Sequence, residues 1–315
     1  MTMKIALAQM APVWLNREAT LEKIEGQVEQ AAAAGAELVA FGEALLPGYP
    51  FWPDLTDGAR FESEVQKELF AHYAGNAVDL EHGGLDALCR LAGKLEIAVY
   101  LGVIERSATR GSFSLYATLA YLSPDGRIAS SHRKLMPTYE ERLVWSPGDG
   151  HGLRVHRLGD FRVGGLNCWE NWMPLPRAAL YGQGENLHVA VWPGNRRNTE
   201  DITRFIARES RSYVVSVSGL MHRDWIPADV PRSGLIRDAA DGWMADGGSC
   251  VAGPDGNWLL EPQVGEEGLW FVDVSIDAVA RERQNFDPAG HYSRPDVTRL
   301  EVNRQRQKTV TFEDG

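Results

Sequence analysis

The chain has 315 residues, of which 44% are hydrophobic and 24% charged, and these are ordinary proportions for a globular protein. Its formal net charge of -11 argues against a nucleic-acid-binding protein, which needs a basic surface. No run of 18 apolar residues is present, so we expect neither a transmembrane helix nor a membrane partner.

The cysteines and the first residues indicate the compartment. Cys89, Cys168 and Cys250 are odd in number and far apart, which predicts a reduced protein without a disulfide framework or a metal site. The N-terminal segment has no long apolar core or small-residue cleavage site, and it reads as a first strand rather than a signal peptide. We therefore expect a cytoplasmic protein.

Predicted strands alternate with predicted helices along the chain, which is typical of an α/β protein. The first unit is a strand at 4–10, a helix that Asn16 caps and Gly35 ends, and a strand at 37–41. Further helices are predicted at 61–74, 85–95, 175–181, 201–212 and 275–282. Further strands are predicted at 97–104, 115–122, 127–131, 161–166, 186–192, 213–218, 247–252 and 269–274.

Two turn sequences predict strand pairs. The turn at 123–126 makes 115–122 and 127–131 a hairpin, and the Gly-Pro-Asp-Gly turn at 253–256 pairs 247–252 with 269–274. No repeat, low-complexity tract or linker divides the chain, and its last residues are polar. We therefore predict a single domain over 1–300 and a short C-terminal tail over 301–315.

Cys168 follows a predicted strand and precedes Pro174, where a helix could begin. At such a turn the side chain leaves the end of the sheet, and the first amides of the helix point at it. Free amides and the helix dipole lower a thiol pKa and bind an oxyanion, which suits a nucleophile. The alternative is a structural cysteine, since free cysteines are among the most buried residues.

Glu43 and Lys134 also follow predicted strands. Glu43 lies at a carboxyl end, where sites form in open α/β sheets, and desolvation would raise its pKa as a general base requires. The alternative is a partly exposed loop carboxylate. Lys134 precedes a long irregular loop over 138–152, although three basic residues at a strand end normally form a solvated surface.

Three motifs, taken together and in order, resemble those of the nitrilase family of carbon–nitrogen hydrolases. They are FGEALLPGYPFWP (41–53), HRKLMPTYEER (132–142) and NCWENWMPL (167–175). Shorter segments agree, namely VWSPGDG (144–150), AVWPG (190–194) and PDVTRLEVN (295–303). The resemblance spans nearly the whole chain, and CWEN followed by MPL is similar to the nitrilase branch proper.

The resemblance implies roles for four residues. Cys168 matches the family's nucleophile, Glu43 its general base and Lys134 its lysine, while Glu141 matches a second glutamate that would hold Lys134 charged and in place. The family fold is a four-layer αββα sandwich of two mixed sheets, which implies an α/β fold of that kind here. The family also implies self-association as a homodimer or a higher oligomer.

The three groups suit hydrolysis of a small-molecule nitrile to a carboxylic acid and ammonia. Attack by a thiolate gives a covalent thioimidate, which splits one hard step into two. Glu43 would move protons and activate water, and Lys134 would stabilise the charge that develops on nitrogen or oxygen. We therefore expect neither a metal ion nor an organic cofactor.

Aromatic residues near the motifs predict an apolar substrate pocket. The predicted substrate-binding residues are Tyr49, Trp52, Trp145, Trp169, Trp192 and Asn195. The sequence leaves open an aliphatic, aromatic or arylacetonitrile substrate. It also leaves open an amidase or a nitrile or cyanide hydratase on the same site. A non-catalytic binding protein on this scaffold would be expected to lose one of Glu43, Lys134 and Cys168.

Overall fold

The structure is a computed structural model that describes residues 2–108, 111–310 and 313. Its strands β1 to β13 are Thr2–Gln9, Leu38–Phe41, Ala98–Arg106, Leu115–Ser123, Arg127–Arg133, His156–Leu158, Phe161–Asn167, Leu187–Trp192, Tyr213–Ser218, Leu220–His222, Trp243–Ala252, Trp258–Val264 and Gly268–Ser275. Its helices α1 to α8 are Arg17–Ala33, Trp52–Leu55, Glu64–Asn76, Asp86–Leu95, Pro174–Tyr181, Arg196–Ser210, Ser233–Ala239 and Ile276–Arg283. Short 3₁₀ helices lie at Tyr139–Leu143, Gly150–Gly152, Cys168–Trp172 and Arg223–Trp225.

The strands form two mixed sheets. The first sheet has the order β13-β1-β2-β3-β4-β5, in which β1, β2 and β3 are parallel and the other neighbours antiparallel. The second has the order β10-β11-β9-β8-β7-β6, with β7, β8 and β9 parallel and β12 paired to β11. The carboxyl ends of the parallel strands therefore gather on one edge of each sheet.

Alternation along the strands separates an inner from an outer face. Ile5 and Leu7 belong to the apolar cluster between the sheets, together with Val189 of the second sheet. Ala6 and Ala8 face the other way, into a cluster that α1 and α4 cover. On the far side, α6 packs on the second sheet in a separate cluster. The result is the predicted four-layer αββα sandwich.

The predicted pairing of the last two strands is wrong. Strand β11 pairs with β9, β10 and β12, whereas β13 crosses to the first sheet and pairs antiparallel with β1. The turn at 253–256 leads into β12, in which no residue is fully buried and Leu259 lies on the exposed side. A strand with so little burial carries no clear apolar pattern, so the next apolar run was mistaken for the partner of β11.

The other predicted elements are present, β9 with the predicted bounds and most of the rest with shifted ends. Helix α3 begins at Glu64 rather than at residue 61, and α6 begins at Arg196 rather than at residue 201. The loop over 138–152 contains two of the 3₁₀ helices. Asn16 caps α1 by accepting a hydrogen bond from the amide of Ala19, as predicted.

The C-terminal segment lies on the body of the protein without regular structure as far as residue 310. Asp149 holds it, because Arg306 Nη1 lies 3.1 Å from Asp149 Oδ1 and the amide of Gln307 donates to Oδ2 at 2.9 Å. Four residues of the predicted tail, 311, 312, 314 and 315, lie outside the described residues. The domain limits at 300 and 301 stay a prediction.

None of the described helices is both long and apolar enough to span a membrane.

Candidate active site

Four side chains from different strand ends and loops converge in the interior. Lys134 Nζ lies 2.9 Å from Glu43 Oε1 and 2.7 Å from Glu141 Oε2. A carboxylate oxygen of Glu43, one of Glu141 and the Sγ atom of Cys168 all lie within 4.8 Å of one another. None of the four residues is more than 3% exposed. The structure therefore brings three acidic or nucleophilic groups around one ammonium.

Glu43 is placed by the end of β2. Its amide donates to the carbonyl oxygen of Trp192 at 3.0 Å, which joins this turn to the second sheet. Strand β3 passes directly beneath it, because a methyl group on Gly102 would lie 2.2 Å from the oxygen of Gly42 and 2.7 Å from Cα of Glu43. Only glycine fits at residue 102, so this close approach fixes the height of Glu43 above the first sheet.

Lys134 follows β5 and is held by its backbone as well as by its side chain. Its amide donates to Ala117 at 2.8 Å, and its carbonyl accepts from Gly148 at 2.8 Å. Burial by itself lowers the pKa of Lys134, but the charges of Cys168, Glu43 and Glu141 outweigh it and hold that pKa well above its usual value. The ammonium is therefore charged over the whole physiological range.

Glu141 is the partner that keeps this ammonium in place. Its Oε2 atom accepts from Lys134 and from the amide of Thr138 at 2.6 Å, while its Oε1 atom accepts from the hydroxyl of Tyr49 at 2.8 Å. Thr138 also caps the 3₁₀ helix Tyr139–Leu143 in a capping box with Glu141. Both oxygens of the Glu141 carboxylate therefore accept hydrogen bonds, and these bonds hold the carboxylate beside Lys134.

Cys168 begins the 3₁₀ helix Cys168–Trp172 with φ at +49°, in the left-handed region that is uncommon for residues other than glycine. Asn171 stabilises the turn, since its Nδ2 atom donates to the carbonyl of Cys168 at 2.8 Å. Backbone strain of this kind is concentrated at functional sites, where the surrounding structure holds it in place.

The predicted lowering of the thiol pKa is wrong. Burial raises the pKa of Cys168 well above its usual value, and Glu43 and Glu141 add to the rise. Lys134 and the amide of Trp169 act in the opposite direction but do not outweigh burial. The short 3₁₀ helix has too few aligned peptides to offset the loss of water around a thiolate.

Glu43 also holds its proton more strongly than a free carboxyl group. Burial raises its pKa to about 8, with Glu141 adding to the rise and Lys134 opposing it. Its Oε2 atom is buried and has no hydrogen-bond partner within the described ranges. Burial therefore makes both the carboxyl group of Glu43 and the thiol of Cys168 hold their protons more strongly than they would in water.

A cavity of about 760 Å³ opens onto Cys168 and Glu141. Its walls come from the loop after β2, helix α2, the 138–141 segment, the loop after β8 and the segment before β11. The lining residues are Tyr49, Phe51, Asp54, Leu55, Thr138, Glu140, Glu141, Cys168, Trp169, Pro193, Gly194, Asn195, Arg197, Asn198, Ala239, Ala240, Asp241, Trp243, Met244 and Ala245. A volume of this size accommodates a small organic molecule next to the thiol.

Comparison with known proteins decides the family. A family model described as carbon–nitrogen hydrolase matches residues 4–284. The chain belongs to the carbon–nitrogen hydrolase family. Its similar relatives carry nitrilase names. A nitrilase 2 from an unknown prokaryotic organism is 39% identical and covers 99% of this chain and 96% of its own. The aliphatic nitrilase of Rhodococcus rhodochrous is 32% identical, and the match covers 98% of this chain and 81% of that nitrilase.

Other relatives of this carbon–nitrogen hydrolase are named for further activities. A bifunctional nitrilase/nitrile hydratase of Lupinus angustifolius is 33% identical, with 99% of this chain and 89% of the relative covered. Among solved structures, Saccharomyces cerevisiae Nit3, a nitrilase-superfamily member, has a TM-score of 0.71 at 17% identity, with 92% and 96% covered. An amidase from Nesterenkonia sp. has a TM-score of 0.65 at 20% identity, with 90% and 96% covered. These two structures share the fold.

Three of the six predicted substrate-binding residues line the cavity of this carbon–nitrogen hydrolase. They are Tyr49, Trp169 and Asn195, and the Trp169 side chain is 51% exposed. Trp145 lies behind the wall instead, in edge contact with Tyr49 and with its ring centre 5.4 Å from Lys134 Nζ. It therefore contacts the ammonium rather than the cavity.

Trp52 and Trp192 correct the prediction further, because both are core residues. Trp52 is the first residue of α2, packs against Trp14 and Tyr73, and is 1% exposed. Trp192 lies beneath α6, where its Nε1 atom donates to the Ser216 hydroxyl at 3.3 Å. An aromatic residue beside a motif fits a core as well as a pocket wall, so the sequence did not separate these cases.

Sequence reasoning missed the residues that reach the cavity from distant segments. Trp243, Met244 and Ala245 begin β11, while Ala239 ends the short helix α7 and Asp241 follows it, in a segment for which no element was predicted. It also gave no role to Glu170, whose charge acts on Glu43. A signal for Glu170 was present in the sequence, since Asn167 and Glu170 have the spacing of a capping box.

Proposed function

We propose that this chain is a nitrilase, which hydrolyses a nitrile to a carboxylic acid and ammonia. The observation that carries the proposal is the convergence of Glu43, Lys134 and Cys168 in the interior, beside a cavity whose wall includes Cys168. The nitrilase names of relatives that match almost the whole chain support it. In the proposed reaction, Cys168 is the nucleophile, Glu43 the general base and Glu141 the partner that keeps Lys134 charged.

The first half-reaction forms a covalent thioimidate. Glu43 accepts the thiol proton, and the sulfur of Cys168 attacks the nitrile carbon, which forms one C–S bond and breaks one π bond of the C≡N group. The proton then passes from Glu43 to the nitrile nitrogen. Lys134 stabilises the negative charge on that nitrogen, together with the amide of Trp169, so the barrier falls because the donors are already in place.

The second half-reaction consumes two water molecules. Glu43 removes a proton from the first water, which adds to the thioimidate carbon and gives a tetrahedral intermediate. Its C–N bond breaks as the nitrogen takes a further proton, so ammonia leaves and a thioester remains. The second water hydrolyses the thioester, which releases the carboxylic acid and returns the proton to Cys168.

Amide formation is a second candidate outcome on the same site. If the C–S bond of the tetrahedral intermediate breaks before the C–N bond, the product is an amide and no ammonia is released. The bifunctional nitrilase/nitrile hydratase among the relatives favours some partition of this kind. Protonation of the nitrogen decides the ratio, and Glu43, whose pKa burial raises to about 8, is the group placed to supply that proton.

A screen of about a dozen aliphatic, aromatic and arylacetonitriles tests the proposal. We expect ammonia and the matching acid from at least one nitrile, with any amide quantified in the same chromatogram. Cys168→Ala should fold and release no ammonia. Wild-type protein that releases neither ammonia nor amide from any of these nitriles, but hydrolyses simple amides, would make the chain an amidase instead.

We also propose that the chain self-associates through the face formed by α5 and α6. Leu175 and Phe205 on this face are 64% and 50% exposed, and Trp172 and Met173 lie beside them. Burial of such apolar side chains favours association. Leu175→Asp should shift the light-scattering mass toward the monomer, whereas Leu235→Asp, on the exposed side of α7, should not. A monomeric wild type at micromolar concentration would contradict the proposal.

A further inference from the structure

Glu170 joins the two sheets beside the catalytic cluster. It lies two residues after Cys168 and is 1% exposed. Its Oε2 atom accepts from the amide of Asn167 at 2.8 Å, and its Oε1 atom accepts from the amide of Leu135 at 2.5 Å. Asn167 directly precedes Cys168 at the end of β7 in the second sheet, and Leu135 directly follows Lys134 beyond β5 in the first sheet.

His132 strengthens the same junction. Its Nε2 atom lies 3.1 Å and 3.2 Å from the two oxygens of Glu170, and its carbonyl accepts from Asn167 Nδ2 at 3.4 Å. The Nδ1 atom of His132 is buried without a partner in the described residues, which favours a ring that carries its proton on Nε2 and donates it to Glu170. The nucleophile strand and the lysine strand therefore share one hydrogen-bonded carboxylate.

We propose that Glu170 is a positioning residue that sets the separation of Lys134 and Cys168 across the two sheets. The proposal rests on the proposed function. Apolar contacts between sheets are non-directional, whereas hydrogen bonds fix both distance and angle. Both oxygens of Glu170 are taken up by backbone amides and by His132, so it acts through these neighbours rather than on the substrate.

The charge of Glu170 provides a second effect that can be measured. Burial raises the pKa of Glu170, but His132 and the amides of Leu135 and Asn167 outweigh burial, so that pKa is lowered and the carboxylate is ionised. The negative charge of Glu170 also acts on Glu43. Burial is the largest cause of the raised pKa of Glu43, and the charge of Glu170 adds a smaller rise. Loss of the Glu170 charge should therefore lower the pKa of Glu43.

Glu170→Gln tests both effects with the nitrile that reacts fastest in the screen. Glutamine offers one oxygen, so one of the two amide bonds is lost. We expect kcat to fall about 100-fold, the effect of a misplacement of about 1 Å, with KM within about threefold of wild type. The acidic limb of the kcat/KM profile should move to lower pH. Thermal unfolding establishes that the variant is folded.

Glu170→Asp separates position from charge, and it carries the test if Glu170→Gln does not fold. Its shorter side chain cannot reach both amides, so kcat should fall while the acidic limb stays in place. Glu105→Gln is the matched control. Glu105 is also buried, but its partners Arg133 and Thr118 belong to the first sheet alone, so stability should fall and kcat should stay within about threefold.

Alkylation by iodoacetamide gives a reading that needs no turnover. Modification of Cys168 should slow several-fold in both Glu170 variants, because the thiol loses its fixed distance to the ammonium of Lys134. A folded Glu170→Gln variant with the same kcat, acidic limb and alkylation rate as the wild type would overturn the positioning role. A wild type that releases no ammonia from any nitrile would overturn the proposed function instead, and the alkylation rates would still decide the role of Glu170.

Discussion

Lys134 and Glu141 form an almost completely buried ion pair, with Nζ and Oε2 2.7 Å apart. The pair carries no net charge, so the first charge added to the site belongs to Glu43, to Cys168 or to the substrate. A buried ammonium that loses such a partner tends to lose its proton. The electrostatics of the site therefore depend on a carboxylate that does not itself transfer a proton in the proposed reaction.

Glu141→Gln should leave the fold intact and cut turnover sharply. The amide still fits between Thr138 and Tyr49, but it no longer holds the charge of Lys134. We expect kcat to fall about 100-fold, which is the typical loss for one electrostatic stabiliser. Steady-state kinetics and thermal unfolding check the prediction. Turnover within a few-fold of wild type would show that Glu43 alone is enough to keep Lys134 charged and in place.

The part of the candidate site that lies at strand ends could be predicted from the sequence. Glu43 and Cys168 each follow an apolar run with a clear end, and Lys134 follows the second strand of a predicted hairpin, so their meeting at strand ends followed from the fold. The partners of Glu170 could not be predicted in this way. Its contact with Leu135 joins residues 35 positions apart on two different sheets, and such a contact depends on how the sheets stack.

The same limit explains the errors in the fold and the pocket. Pairing of β13 with β1 joins the two ends of the chain, whereas reasoning from turns favours neighbouring strands. Trp52 and Trp169 are both tryptophans beside a motif, yet the first is 1% exposed and the second 51%. Their difference is set by which elements pack above them, and residue type carries no information about that.

Glu43 should make stability depend on pH. Burial raises its pKa from 4.5 to about 8. Between these values the folded protein keeps the proton and the unfolded chain releases it. The stability from this group is therefore present below the lower pKa and is lost as pH rises through the higher one. The loss is at most about 1.4 kcal/mol per pH unit.

Glu43→Gln isolates this effect, because glutamine does not titrate. Urea unfolding of both proteins at about pH 5, 6.5 and 8 gives the difference in free energy of unfolding. We expect the difference to shift in favour of Glu43→Gln as pH rises, whatever the two absolute stabilities are. Parallel curves over this range would contradict a raised pKa for Glu43.

The charged side chains of the cavity wall should select against anionic nitriles. Asp54, Glu140 and Asp241 line the cavity and form no ion pair among the described residues, and Arg197 is the basic residue among those that line it. A cyano-carboxylate should therefore have a kcat/KM about tenfold below that of its methyl ester, and added salt should reduce the ratio.

The double variant Asp54→Asn with Glu140→Gln checks that these charges are the cause. It should bring the two kcat/KM values closer together and change the value for the neutral ester less than that for the anion. A ratio that stays the same in the double variant would place the selectivity elsewhere. A wild type that prefers the anion would contradict the charge argument itself.

Cys168 should be the first cysteine that iodoacetamide modifies at neutral pH. All three cysteines are buried, but only Cys168 of the three lines the cavity, and burial raises the pKa of Cys89 and raises that of Cys250 to about 12. Because burial also raises the pKa of Cys168, its reaction depends on proton transfer to Glu43. Alkylation should therefore slow by at least tenfold in Glu43→Gln, and peptide mass mapping of timed samples measures it.

The covalent intermediate gives the most direct test of the nucleophile. A quenched reaction with a slow nitrile should show an adduct on the intact protein that maps to Cys168. Cys168→Ser should be inactive, because a hydroxyl is a far weaker nucleophile than a thiolate. Cys168→Ala should fold, since its side chain faces the cavity and little packing is lost. If Cys168→Ala keeps its hydrolytic activity, the sulfur attacks nothing, and the proposed roles of Glu43 and Lys134 lose their basis as well.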